Sequence, residues 1–170
     1  QVTGFTSRAV LESQKPKYLN SKESFIFSKK NLQYGLHLAK AHIREKGFLI
    51  LCEGNMDAIT LHQFNFKNSL AIMGTALTEN SVKTYSKLTS NIILALDSDP
   101  AGMEAMKRAN SMFLECGVIP KFIIFDPCKD PDEFLNDLGP IELQERIDNS
   151  VTYLDYGIEQ LTPEKIPELI

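Results

Sequence analysis

From residue 48 onward the chain repeats one pattern: a short run of consecutive apolar residues, then a stretch in which apolar residues recur every three or four positions. The runs are Phe48–Cys52, Leu70–Met73, Asn91–Leu96 and Ile119–Phe125. The periodic stretches are Met56–Phe64, Glu79–Leu88 and Ala101–Cys116, with Thr78 placed to cap the second and Gly117 to end the third. Strands that lack in–out alternation and are separated by helices lie in a sheet covered on both faces. The pattern therefore predicts an α/β fold built on a mostly parallel four-stranded sheet flanked by helices.

The two flanks read differently. Residues 1–46 predict a strand near Val2–Phe5, an irregular basic stretch containing KPKYLNSKES, and an amphipathic helix from Asn31 to Lys46. Leu32, Leu36, Ala39 and Ile43 form that helix's apolar stripe, and Gly47 stops it. After Pro127 the segments KDPDEFLNDLGPIELQERIDNS and VTYLDYGIEQLTPEKIPELI predict short helices. Three regions result: 1–46, 47–127 and 128–170.

Composition narrows the class. With 43% hydrophobic and 24% charged residues the chain is an ordinary globular one, and no apolar run approaches the ~20 residues that span a bilayer. Nothing at the start resembles a signal peptide. The opening QVTGFTSRAV, without an initiator Met, is expected to continue a longer chain. Cys52, Cys116 and Cys128 lack C-x-x-C spacing and read as reduced cytosolic thiols, so neither a disulfide frame nor a zinc site is expected.

The net charge of −4 hides a division. Residues 1–46 hold nine Lys/Arg against three Glu, a balance of +6, which leaves −10 on the remainder. A basic flank suits a polyanion and an acidic one suits metal ions; the alternative is two solvated faces.

In an open parallel sheet, ligands bind beyond the C-terminal strand ends. Acidic residues gather there: Glu53 and Asp57 after the first strand, Asp97 and Asp99 after the third, and Asp126, Asp130 and Asp132 after the fourth. The second strand runs into Gly74-Thr75. Packed together without a cation, Glu53, Asp97 and Asp99 would force at least one to protonate. A hard dication, Mg²⁺ or Mn²⁺, reverses that balance. In ALDSDPAG, Pro100 suits a first helical position and Gly102 allows a close approach. The plainer alternative for Asp99 is a helix N-cap. His37, His42 and His62 form no ligand set, Ser81 and Ser86 have no His–Asp pairing, and Gly54 and Gly74 make no phosphate-cradling loop.

The stretches LCEGNMDAITLHQ, AIMGTALTENSV and LALDSDPAGMEA resemble the three blocks of a Toprim domain, which primases, topoisomerases and some nucleases share. VTGFTSR, PKYLNSKESFIFSKKNLQYGL and KDPDEFL resemble the segments that flank Toprim in bacterial DnaG-type DNA primases. The resemblance runs from about Val2 to Ile147. It implies a Toprim domain over 47–127, preceded by the end of the basic N-terminal subdomain of an RNA polymerase domain and followed by an acidic motif and helical segment.

The resemblance also implies roles. Glu53, Asp97 and Asp99 match catalytic acidic positions. Asp57, Asp130 and Asp132 match supporting carboxylates around the metal site. Arg8, Lys17, Tyr18, Asn20 and Lys29 match the basic surface that contacts template and nucleotides. The family carries Tyr where Asn55 and Leu96 stand, and Gly where Lys30 and Ser98 stand. The Ser98 change bears on the turn, because glycine tolerates positive φ and serine does not readily.

The function implied is metal-dependent synthesis of short RNA primers from ribonucleoside triphosphates on single-stranded DNA, by a cytoplasmic monomer of the bacterial replisome. Family members carry a zinc-binding domain ahead of this region and a helicase-binding domain after it. No zinc is therefore expected here, the replicative helicase is expected to dock elsewhere, and the region alone is expected to prime weakly or not at all. The competing reading is a Toprim nuclease or topoisomerase cleaving phosphodiesters. Topoisomerases use a Tyr nucleophile, and none of the five tyrosines is assigned that role.

Overall fold

A computed structural model describes residues 2–11, 13, 15–28, 32–73 and 77–159. Lys29, Lys30, Asn31, Gly74 and Thr75, which figured in the expectations above, lie outside the described residues. The chain divides into two compact units, Gln1–Leu32 and Gln33–Ile170.

The first unit is an antiparallel ribbon of β1 (Thr6–Arg8) and β2 (Tyr18–Asn20), with Arg8 opposite Tyr18. The expected strand at Val2–Phe5 is displaced to Thr6–Arg8, because pairing with Tyr18–Asn20 sets the ladder and a three-residue strand carries no readable period of its own. Phe27 is the unit's buried anchor, and it lies so close to Gly4 that a Cβ there would come within 2.4 Å of its ring.

The second unit begins with α1 (Leu36–Lys46), then β3 (Leu49–Cys52), α2 (Asn55–Gln63), β4 (Ser69–Ala71), α3 (Glu79–Ser86), β5 (Ile92–Ala95), α4 (Pro100–Glu115) and β6 (Lys121–Phe122). It continues through α5 (Pro131–Asp137), α6 (Gly139–Asp148), β7 (Val151–Thr152) and α7 (Tyr153–Glu159). Helix α1 starts five residues later than its apolar stripe predicts. Gly35, at φ +89°, turns the chain into it, and a left-handed residue ends helical propagation upstream.

The sheet order is β4-β3-β5-β6-β7. The first four strands are parallel, as predicted; β7 adds a fifth, antiparallel to β6, that a two-residue strand could not announce in the sequence. Every residue of β3 and β5 is buried. Leu49, Leu51, Ile92 and Leu94 face one side, in a cluster with Ala39 and Ile43 of α1, Val82 and Tyr85 of α3, and Met106, Ala109 and Phe113 of α4. The alternate residues Ile50, Cys52, Ile93 and Ala95 face the other side, where α2 lies against β3 and β4. This two-sided cover is why the strands read as unbroken apolar runs.

From β3 the chain crosses to β4 on one flank, and from β4 it returns past β3 to β5 on the other. The strand order therefore reverses between β3 and β5, which opens a crevice beyond their C-terminal ends.

Candidate metal and nucleotide site

Cys52, the last residue of β3, pairs in register with Ala95, the last of β5. Glu53 and Asp97 thus leave adjacent strands at the same sheet edge, at the point of reversal. Burial first, then Asp97 and Asp99, push the Glu53 carboxyl above the usual range.

Asp57 sits in the first turn of α2, only 7% exposed, where its Oδ2 accepts the Gly54 N–H at 2.8 Å. Burial drives its pKa up to about 7; the Gly54 bond opposes this, while Asp130, Asp97 and Asp132 add to it. Through Asp57 the acids after β6 are coupled to those after β3 and β5.

Asp99 caps α4, its Oδ1 accepting the Gly102 N–H at 2.7 Å, with Pro100 at the first helical position. The N-cap reading of Asp99 therefore holds. The cap uses one carboxylate oxygen, so it is compatible with a ligand role for the other. Asp130 caps α5 in the same way, accepting from Glu133 N–H at 2.9 Å. Asp132 receives the Thr60 hydroxyl at 2.5 Å and the Asn136 amide at 3.2 Å, which ties α5 to α2.

Two contributors were not singled out from the sequence, and a third was noted there only as a departure in the turn. Thr60 is one. Lys129 is the second: its Nζ lies 3.4 Å from Asp130 Oδ2, and Asp130, with a smaller part from Asp97, raises its pKa. Ser98 is the third. It is not among the residues with positive φ, so serine is accommodated in the turn without left-handed strain, and its hydroxyl accepts the Phe125 N–H at 2.9 Å. Their partners lie 72 residues away for Thr60 and 27 for Ser98, beyond any local pattern.

The donor set fits a hard dication. It is all carboxylate, and Glu53 and Asp57 are raised first by burial and then by neighbouring acids, an environment in which a cation favours the ionised forms. Among the described residues no group of three His, Cys, Asp or Glu stands in direct ligating range of one point. The acids thus make a charged rim rather than a closed coordination cage. Cys52, fully buried beneath the rim, donates its thiol to Leu70 O at 3.2 Å, and burial, with Asp57 next, holds its pKa well up. An inert thiol results. His62 is engaged elsewhere, with Nε2 3.0 Å from Ser69 O.

In the first unit Arg8 and Lys17 both approach the Tyr18 ring, each at 5.9 Å from its centroid. Arg8, Lys15 and Lys17 also line an open basin of about 950 Å³ with Ala9, Val10, Leu11 and Pro16. Asn20 pairs with Thr6 at the far end of the ribbon. No described helix is long and apolar enough to cross a membrane.

Residues 50–135 match the Toprim-like family, and residues 1–40 match the N-terminal domain of the DNA primase catalytic core. The chain is 39% identical to the DNA primase of Aquifex aeolicus over 150 residues, which cover 88% of this chain and 30% of that protein. It is 39% identical to the DNA primase of Clostridium acetobutylicum over 161 residues, 94% of this chain and 26% of that one. It thus spans under a third of the length of these relatives. The crystal structure of the zinc-binding and RNA polymerase domains of the Aquifex aeolicus primase superimposes with a TM-score of 0.86 at 38% identity, covering 94% of this chain and 40% of that one. A DnaG primase catalytic domain bound to single-stranded DNA superimposes with a TM-score of 0.81 at 30% identity, covering 95% and 51%. With half of the sequence inside one family model and its flank inside another, the chain belongs to the Toprim-like family, within the catalytic cores of bacterial DnaG-type primases.

Proposed function

We propose that this chain forms part of the polymerising core of a primase, which joins ribonucleoside triphosphates into short RNA primers on single-stranded DNA. The observation that carries the proposal is the coupled set of carboxylates at the β3–β5 crevice, Glu53 and Asp97 leaving paired strand ends. Primer growth needs a 3′-hydroxyl to attack an α-phosphate while pyrophosphate leaves. A bound Mg²⁺ or Mn²⁺ supplies charge neutralisation at the phosphates and acidifies the attacking hydroxyl.

In this scheme Asp97 and Asp99 would hold the ion. Glu53 would complete that site or take the proton from the hydroxyl. Asp57, Asp130 and Asp132 surround an adjoining position. Lys129 faces the same rim and attracts phosphate oxygens. On the other unit Arg8 and Lys17 hold template phosphates and Tyr18 offers a ring for stacking, with Asn20 beside it and Lys29 completing the basic set. The relative solved with single-stranded DNA supports a polynucleotide as the partner of this fold.

The test is incubation of the chain, alone and within its parent protein, with single-stranded DNA, labelled ribonucleotides and Mg²⁺. RNA oligomers that vanish with Asp97→Asn, at unchanged circular dichroism, support the proposal. DNA cutting without RNA synthesis would replace it with the nuclease reading.

A further inference from the structure

Ser98 stands between Asp97 and Asp99 and bonds twice to the segment that carries the second group of acids. Its main-chain N–H donates to Lys129 O at 2.8 Å, and its hydroxyl accepts the Phe125 N–H at 2.9 Å. The first bond is available to any residue but proline. The second requires a hydroxyl or another side-chain acceptor, which alanine and glycine lack. Phe125 is fully buried, so its N–H depends on a protein partner.

The two strips joined in this way carry like charge. Asp97 and Asp99 lie on one, Asp130 and Asp132 on the other. The Ser98 contacts tie the two strips together, so they help to set the separation at which these carboxylates meet divalent cations. From this geometry we infer that Ser98 is a positioning residue. Its hydroxyl fixes the distance between the Asp97/Asp99 turn and the Asp130/Asp132 segment, and so sets the affinity for divalent cations at the two adjoining positions. The inference rests on the metal-dependent reading above and adds to it a residue that touches neither metal nor substrate.

The experiment is a Mn²⁺ titration of the full chain followed by the loss of the free-ion paramagnetic resonance signal. Wild type is compared with Ser98→Ala, Ser98→Gly and Ser98→Thr. The expected result is that Ala and Gly weaken Mn²⁺ binding threefold or more, while Thr, which keeps the hydroxyl, stays within a factor of about 1.5 of wild type. In the parent enzyme, the Mg²⁺ concentration for half-maximal primer synthesis should rise by the same factor for Ala, with the rate at saturating Mg²⁺ retained. Wild-type affinity in both Ala and Gly would overturn the positioning role, as would equal loss in Thr and Ala. A wild-type chain that binds no Mn²⁺ would instead overturn the metal reading itself, so the two failures are distinguishable.

Discussion

Gly102 lies against Asp97 so closely that a Cβ at residue 102 would come within 1.9 Å of the Asp97 carbonyl oxygen. The first turn of α4 is therefore packed tightly against the chain leaving β5. Its φ is not in the left-handed region, so space, not backbone freedom, demands the glycine.

Gly102→Ala sets two effects against each other. Alanine gains about 1 kcal/mol in helix propensity, whereas relieving contact with a backbone oxygen requires α4 or the turn to move, at about 3 kcal/mol or more. The clash wins. A fall in unfolding free energy of about 2 kcal/mol is expected in urea denaturation, together with weakened Mn²⁺ binding. A variant as stable as wild type would show that the turn is not pinned there.

Thr60→Val tests the tie between α2 and α5. Thr60 is buried, and its hydroxyl donates to Asp132. Valine preserves shape and removes the donor, leaving Asp132 the Asn136 amide. A charge-assisted bond of this kind contributes about 1.5–3 kcal/mol, so the unfolding free energy should fall by about that much without a change in the urea dependence. Because Asp132 also loses its fixed orientation, the Mg²⁺ requirement for primer synthesis should rise. A valine variant matching wild type in both measurements would leave the bond without consequence.

Much of this arrangement was legible in the sequence, and the boundary is physical. Strands β3 and β5 announced themselves because burial on both faces leaves an unbroken apolar run, and Asp97, Asp99 and Glu53 because ionised side chains beside such runs need a reason. The Asp99 cap followed from local geometry. What stayed hidden depends on partners remote in the chain. Thr60 acquires its meaning only when Asp132 is brought beside it, Ser98 only when Phe125 is, and β7 only when β6 offers an edge. Residue type near a strand end is visible locally, but positioning contacts belong to the assembled fold.

Asp57 gives the chain an unusual pH response. Its pKa rises from an ordinary 3.8 to about 7 on folding, so between those values the folded chain holds a proton that the unfolded chain has released. The folded state is therefore penalised progressively as pH rises through that window, by at most about 4 kcal/mol once Asp57 is ionised in both states. Without divalent cations, thermal stability should decline from pH 5 to pH 7.5. Asp57→Asn should flatten the decline, and millimolar Mg²⁺ should reduce it by stabilising the ionised form. A melting temperature that climbs over this range in the metal-free chain, and does so equally in the Asn variant, would remove Asp57 as the source.

The basic ribbon makes a separate prediction, about a polyanion rather than an ion. Lys17 is exposed, approaches the Tyr18 ring, and lines the same basin as Arg8 and Lys15. If it neutralises one phosphate of a single strand, binding releases the counterions condensed there, and each such contact contributes about −0.7 to the slope of log K against log salt. Lys17→Ala should therefore weaken single-stranded DNA binding at low salt and make that slope shallower by about 0.7, with fold and Mn²⁺ binding retained. Tyr18→Ala should behave differently. Stacking is insensitive to salt, so its loss lowers affinity by about 1–3 kcal/mol at every ionic strength and leaves the slope unchanged. Fluorescence anisotropy with a labelled oligonucleotide across a salt series separates the two. A lysine variant with the wild-type slope would mean that this side chain is merely solvated, and a tyrosine variant with wild-type affinity would mean that its ring serves the ribbon alone.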